Sequence, residues 1–209
     1  IYFILDNLRV GHVYWDYVYP RLTLSPGTTL MFAEGKEMRV SGDWYYSQYG
    51  ELYAEGTEDE PILFTSMNGE SGGWNGLVFP GQSDDFENAS SSLKHCIIEN
   101  GNEYNLHLSS TNQPSTVEDC VFRNSAAKGV YMYDSYDTLR NCSFENNTEY
   151  ALYYNNAHYV GVLENLTFSG NLHDGVTVNG GSIEYSRNWN AYIYFILDNL
   201  RVGHVYWDY

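Results

Sequence analysis

The chain has 209 residues, enough for one domain with a continuous core, and its 43% hydrophobic content is weighted to 21 Tyr, 9 Phe and 5 Trp beside 19 Gly. That balance favours strands and turns over helices. A formal net charge of −17 repels phosphate backbones and offers anionic lipid no basic surface, and no apolar run is long enough to span a bilayer, so neither nucleic acid nor membrane insertion is expected of this segment.

Residues 1–17 read IYFILDNLRVGHVYWDY, with the character of mid-strand sequence and no sign of a secretory leader. Residues 193–209 repeat them without a mismatch, at an offset of 192 residues. Chance does not produce 17 successive identities, so the chain is expected to hold one 192-residue unit (1–192) and the start of an identical next one (193–209).

Inside the unit a shorter period of about 19 to 24 residues recurs, in LKHCIIEN (93–100), VEDCVFRN (117–124), LRNCSFEN (139–146) and LENLTFSG (163–170). VGHVYWDY, at 10–17 and again at 202–209, fits the same template, whereas IEYSRNWN (183–190) fits poorly. Each template is followed by an alternating segment, such as NLHLS (105–109), GVYMY (129–133), ALYYN (151–155) or GVTVN (175–179). Alternation with period two sends one set of side chains inward and the other outward. A coil of about 20 residues holding two or three short strands buries its apolar face only by stacking on its neighbours, and this is the unit of a β-solenoid.

Stacking predicts inward columns: Cys96, Cys120, Cys142 and Leu166; Ile98, Phe122, Phe144 and Phe168; Leu106, Val130, Leu152 and Val176; Leu108, Met132, Tyr154 and Val178. Asn100, Asn124 and Asn146 fall at one turn of successive coils, where an Asn tolerates a left-handed backbone and can donate its amide to the turn above. The ladder position argues for burial of Asn146.

LTLSPGTTLMF (22–32), GELYAEGTEDEPILFTS (50–66) and SGGWNGLVF (71–79) resemble a motif series of secreted right-handed β-helix proteins in the pectate-lyase-like superfamily, and the Asn-bearing coils resemble its generic repeat. The resemblance covers about residues 20–190 and implies an all-β, right-handed parallel β-helix (solenoid), continuous across the 192-residue tandem repeat. It does not choose among polysaccharide lyases and hydrolases, adhesins and surface proteins without activity.

Lyases need clustered basic residues, and the 10 here do not cluster in sequence. Outward positions on the first strand give one column of His95, Asp119, Asn141 and Asn165 and a neighbouring column of Glu99, Arg123, Glu145 and Ser169. Glu99–Arg123–Glu145 reads as a surface charge ladder, so no catalytic residue is assigned, although Asp119 beside Glu145 is the nearest thing to an acid/base pair. The cysteines Cys96, Cys120 and Cys142 lack zinc-site spacing and are expected to be unpaired, buried and apolar in role. No metal site or cofactor is assigned, though the acid excess suits calcium.

His107, Tyr131 and Tyr153, with Tyr133 beside them and Tyr194 further along, are expected on one outer face, for sugar stacking, lateral contact or simple sheet packing. Trp15, Trp44 and Trp74 read as core or loop anchors. Asn88, Asn141, Asn146 and Asn165 match the N-glycosylation pattern, with Asn141 and Asn165 facing outward.

VGHVYWDY makes the unit junction itself a coil, and no Gly/Ser- or Pro-rich linker is present there. Eight or nine coils would rise roughly 40 Å per unit at about 4.8 Å each. These features point to an extracellular or cell-surface filament or stalk, a glycoprotein whose partners are copies of itself in one long chain or head to tail. A polysaccharide-binding adhesin and a polysaccharide lyase or hydrolase are the alternatives.

Overall fold

The fold was analysed in a computed structural model that describes residues 1–11, 20–40, 50–80, 91–109, 116–185 and 188–203. Trp15, Trp44, Asn88 and most of both VGHVYWDY segments lie outside the described residues.

The strands come in triplets, one triplet per coil. The first three coils hold β1 (Tyr2–Ile4), β2 (Leu8–Val10), β3 (Arg21–Leu24), then β4 (Thr29–Phe32), β5 (Met38–Val40), β6 (Glu51–Glu55), then β7 (Ile62–Ser66), β8 (Leu77–Phe79), β9 (Ser92–Lys94). The next two hold β10 (Cys96–Glu99), β11 (Tyr104–Ser109), β12 (Thr116–Glu118), then β13 (Val121–Arg123), β14 (Lys128–Tyr133), β15 (Thr138–Arg140). They are followed by β16 (Ser143–Glu145), β17 (Tyr150–Tyr154), β18 (Leu163–Glu164), then β19 (Thr167–Ser169), β20 (His173–Val178), β21 (Gly181–Ile183), and last by β22 (Tyr194–Ile196) and β23 (Leu200–Val202). The only helical element among the described residues is a 3-10 turn, Ala157–Tyr159, and no helix is long and apolar enough to cross a membrane.

From β1 to β20 every third strand stacks on its counterpart, while β22 adds to β20 and β21 pairs β23 in a separate two-stranded sheet. Sheet A runs β1-β4-β7-β10-β13-β16-β19, sheet B runs β2-β5-β8-β11-β14-β17-β20-β22, and sheet C runs β3-β6-β9-β12-β15-β18. All pairings are parallel, for example Ile98↔Phe122↔Phe144↔Phe168 in sheet A and Leu106↔Val130↔Leu152↔Val176 in sheet B. The chain is a parallel β-helix of three faces. The described residues form seven complete triplets, a rise of about 34 Å, and β22 and β23 begin a further coil, against the eight or nine coils read from the sequence. The early coils are longer than the short period suggests: Met38 pairs Leu77, 39 residues on, whereas Val130 and Leu152 are 22 apart.

Two corner columns explain why the chain bends where it does. Between sheets C and A, single left-handed residues turn the chain: His95 (φ 46°), Asp119 (54°), Asn141 (52°) and Asn165 (53°). Between sheets A and B the corner is taken by Asn100 (65°), Asn124 (57°), Asn146 (54°) and Gly170 (73°). These residue types accept the left-handed region at least strain, so each corner needs one residue only.

The four inward columns predicted above all point into the core, with Leu166 and Phe168 more open near the last coil. Ring stacking continues along it, Phe122–Phe144 at 5.4 Å and Phe144–Phe168 at 5.2 Å. Trp74 is fully buried, stacked on Phe32 at 4.5 Å and donating through Nε1 to the Glu99 carbonyl. Cys96, Cys120 and Cys142 are free and buried, and their thiols donate to the carbonyls of Lys94, Glu118 and Arg140.

The expected amide ladder holds only at its first member: Asn100 is buried and its Nδ2 donates to Thr65 Oγ1 at 3.1 Å, whereas Asn124 is half-buried and Asn146 is exposed, leaning over Gly170. A second set of inward amides is Asn105, Asn147 and Asn171. Asn147 Nδ2 donates to Phe122 O (3.1 Å) and Asn171 Oδ1 (2.8 Å), while its Oδ1 accepts from Ser125 N (3.1 Å) and Asn105 Nδ2 (3.3 Å). Asn171 Nδ2 in turn donates to Phe144 O. These bonds satisfy backbone groups that the corner leaves open.

Candidate functional site

Sheet B carries aromatic side chains on its outer face because outward positions alternate with the buried Leu, Val and Met of the same strands. One outward column is Val78, His107, Tyr131, Tyr153, Thr177 and Phe195; its neighbour is Tyr104, Lys128, Tyr150 and His173. The rings form an unbroken ribbon. Tyr104 meets His107 at 4.9 Å, His107 stacks on Tyr131 at 4.7 Å and 12°, and Tyr131 meets Tyr153 edge-on at 5.5 Å. Tyr153 then meets Tyr150 at 5.1 Å, Tyr150 stacks on His173 at 4.9 Å, and His173 meets Phe195 at 4.7 Å. Lys128 Nζ sits over Tyr131 and Tyr153, 5.7 and 5.6 Å from their centroids.

His107, Tyr131, Tyr133 and Tyr153 are therefore brought together on one face. Tyr133 packs edge-on to Tyr131 at 6.2 Å and is 44% exposed. Tyr194 is not among them. It pairs Val176, so alternation turns it inward against Trp189, and Phe195 takes the outer position. Tyr104, Tyr150, His173 and Phe195 were missed by the sequence reading. Tyr104 and Tyr150 stand three residues before His107 and Tyr153, but placing them, His173 and Phe195 on this face required the register of the whole sheet.

Burial, helped by Arg39 and Lys128, lowers the His107 pKa to about 4, and among the described residues its buried Nε2 has no hydrogen-bond partner. Burial pushes Tyr104 up to about 12 and raises Tyr131 and Tyr153. At neutral pH His107, Tyr104, Tyr131 and Tyr153 are therefore uncharged rings, with phenol donors and Lys128 beside them. The face suits packing and stacking, while a histidine this acidic is a weak general base. Because the ribbon uses the faces of His107 and Tyr131 on each other, Tyr133 is the ring most open to a partner.

The outward acid residues are tied into ladders. Asn165 Nδ2 donates to Asn141 Oδ1 and Asn141 Nδ2 to Asp119 Oδ1, both at 3.0 Å, while His95 Nε2 lies 3.7 Å from Asp119 Oδ2. Asp119 thus serves its corner and is not poised with Glu145. On sheet A, Arg123 Nε donates to Glu99 Oε2 at 2.6 Å. On sheet C the column Glu55, Lys94, Glu118, Arg140, Glu164 alternates in sign, with Lys94–Glu118 at 3.2 Å and Arg140–Glu164 at 2.7 Å. The sequence reading missed this second charge ladder. Among the described residues no three His, Cys, Asp or Glu side chains converge as a metal site.

Of the glycosylation candidates, Asn141, Asn146 and Asn165 are exposed. Asn141 and Asn165 sit on adjacent rungs of one column, so glycans on both would crowd one another.

A family model described as "Right handed beta helix region" matches residues 80–192, more than half of the chain. No curated protein and no solved structure matches it.

Proposed function

The chain belongs to the right-handed β-helix family, and on that premise we propose that it is a segment of a structural extracellular filament or cell-surface stalk built of tandem β-helix repeats. The observation that carries this reading is the 17-residue stretch at both ends of one 192-residue unit. In both copies the same residues form strands, Tyr2–Ile4 and Leu8–Val10 at one end, Tyr194–Ile196 and Leu200–Val202 at the other, each added in parallel to the neighbouring coil. A repeat whose boundary is itself strand favours a stiff rod over beads on a linker. Paired charges on sheets A and C keep two outer faces polar, and the net charge of −17 opposes lateral clumping. The exposed Asn141, Asn146 and Asn165 suit a glycosylated surface protein.

The gene tests this directly. Further 192-residue copies are expected beside this one, and negative-stain images of the whole product should show rods of constant width. A single copy ends the filament reading.

A second reading, favoured by the aromatic ribbon, is a polysaccharide-binding adhesin that engages glycan along Tyr131, Tyr133 and Tyr153. Changing Tyr131, Tyr133 and Tyr153 together to Ala should then abolish binding on a glycan array. No binding by the unaltered protein excludes that reading. Lyase or hydrolase activity is the least favoured, since Asp119, Glu99, Glu118 and Glu164 are all engaged in ladders.

A further inference from the structure

The two copies of the 17-residue stretch do not occupy equivalent places. At the start of the unit, Tyr2–Ile4 lies in sheet A and Leu8–Val10 in sheet B. At its end the identical Tyr194–Ile196 lies in sheet B, and Leu200–Val202 pairs β21 beyond it. The second copy is displaced by one face of the helix.

Coil length shows which place suits an interior coil. Successive rungs of sheet B are 24, 22 and 24 residues apart from Leu106 through Val130 and Leu152 to Val176. The next rung, Tyr194, comes after only 18. If residues 194–202 instead took the places of 2–10, Leu200 would follow Val176 by 24 residues, and Tyr194 would follow Phe168 in sheet A by 26. The rungs of sheet A from Ile98 to Phe168 are themselves 24, 22 and 24 apart.

What holds the displaced copy is the open end of the core. Trp189 and Tyr192 pack across it: Tyr192 meets Phe168 edge-on at 5.9 Å and accepts a hydrogen bond from Leu166 N, and Asn190 Nδ2 donates to Leu163 O. They cover apolar surface that a following coil would otherwise bury. Meanwhile, among the described residues, the outer edge of β19 carries no further strand.

We propose that the edges of β19 and β20 are the docking surface for a further copy of this unit, and that residues 194–202 act as a displaceable end cap. When a following unit is present, Tyr194–Ile196 moves from β20 to β19 and Leu200–Val202 moves from β21 to β20, the register that residues 2–10 already adopt. The inference rests on the tandem reading but is separable from it, because a rod can be built with either junction.

The test uses two cysteine pairs in this chain and in a chain extended after Tyr209 by residues 18–192 of a second unit. Thr177 pairs Phe195 in the capped register and Arg201 in the joined one. With a short bis-maleimide, which adds one cysteine thiol at each end, T177C/F195C should link in the present chain and T177C/R201C should not. In the extended chain the preference should reverse. Persistence of the Thr177–Phe195 link in the extended chain overturns the proposal; rods seen alongside it leave the filament intact, and their absence removes both. Should the cysteine variants fail to fold, fluorescence difference spectra between each chain and its Trp189→Phe form give a second readout. Trp189 emission should shift red on extension, and an unchanged emission overturns the proposal.

Discussion

Val10 and Val202 occupy the same position in two copies of one sequence, yet Val10 is 7% exposed and Val202 is 81% exposed. Their environments differ because Val10 closes a rung of sheet B against Val40, while Val202 lies on β23 beyond the last complete coil. In the present chain Val10→Ser should cost about 2 kcal/mol, from lost apolar burial and a buried hydroxyl. Val202→Ser should stay within about 0.5 kcal/mol. Urea titrations of the two variants check this, and equal losses would contradict the assigned burial.

Asn146 and Asn147 are adjacent and opposite in role. Asn147→Ala removes the acceptor of Ser125 N and a donor to Phe122 O, a loss of roughly 2–4 kcal/mol, while Asn171 Oδ1 keeps the Asn147 backbone N–H. Asn146→Ala removes an exposed side chain at a left-handed corner and should cost about 1 kcal/mol. Thermal melts of both variants give the ranking.

His107 sets a pH dependence. Its folded pKa of about 4 lies below the ordinary histidine value, so between about pH 6.5 and 4 the unfolded chain binds the extra proton. Stability should fall as pH drops through that window and be insensitive to His107 above it. His107→Phe keeps the stacked ring and should remove up to about 3 kcal/mol of the acid loss. Denaturation midpoints at pH 7 and pH 4 for both proteins give the difference, which should vanish at pH 7 apart from a constant offset.

The cysteines should be silent until the coils open. Cys120 is held protonated by burial, and Cys142 by hydrogen bonding with Cys120 and then by burial. An aromatic disulfide reagent at pH 8 should find no reactive thiol in the native chain and 3 after denaturation. Prompt reaction of Cys120 in native protein would contradict its burial.

The inward columns were legible because one period, two residues, decides which way a strand residue points, and Cys96, Cys120 and Cys142 mark the same rung three times. One corner was legible too, since Asn100, Asn124 and Asn146 stand where the chain turns left-handed, whereas His95, Asp119, Asn141 and Asn165, read as outward strand positions, form the other corner. What could not be read was one step away. Whether Asn146 or Asn147 is the buried amide depends on how far the corner turns before the next strand begins. Sheet C was hidden because its strands are short and, from β9 onward, separated from sheet A by only one or two residues, such as His95 or Asp119 and Cys120, so the two looked like one template. The aromatic face was half visible: Tyr131 and Tyr153 align at once, whereas Tyr150 joins His173 only across the irregular register between β17 and β20. The placement of residues 194–202 was invisible, because identical sequence gave no warning of a different neighbour.

Every rung pairs residues between 18 and 39 apart, however many coils the stack contains. The entropy of closing each loop is therefore set coil by coil and does not grow with the length of the array. Relative contact order falls as units are added, so a protein of ten units should not search longer per coil than one of two. A nascent chain leaving the ribosome needs only about 40 further residues before each new coil can be laid on the last, and the growing edge serves as its template.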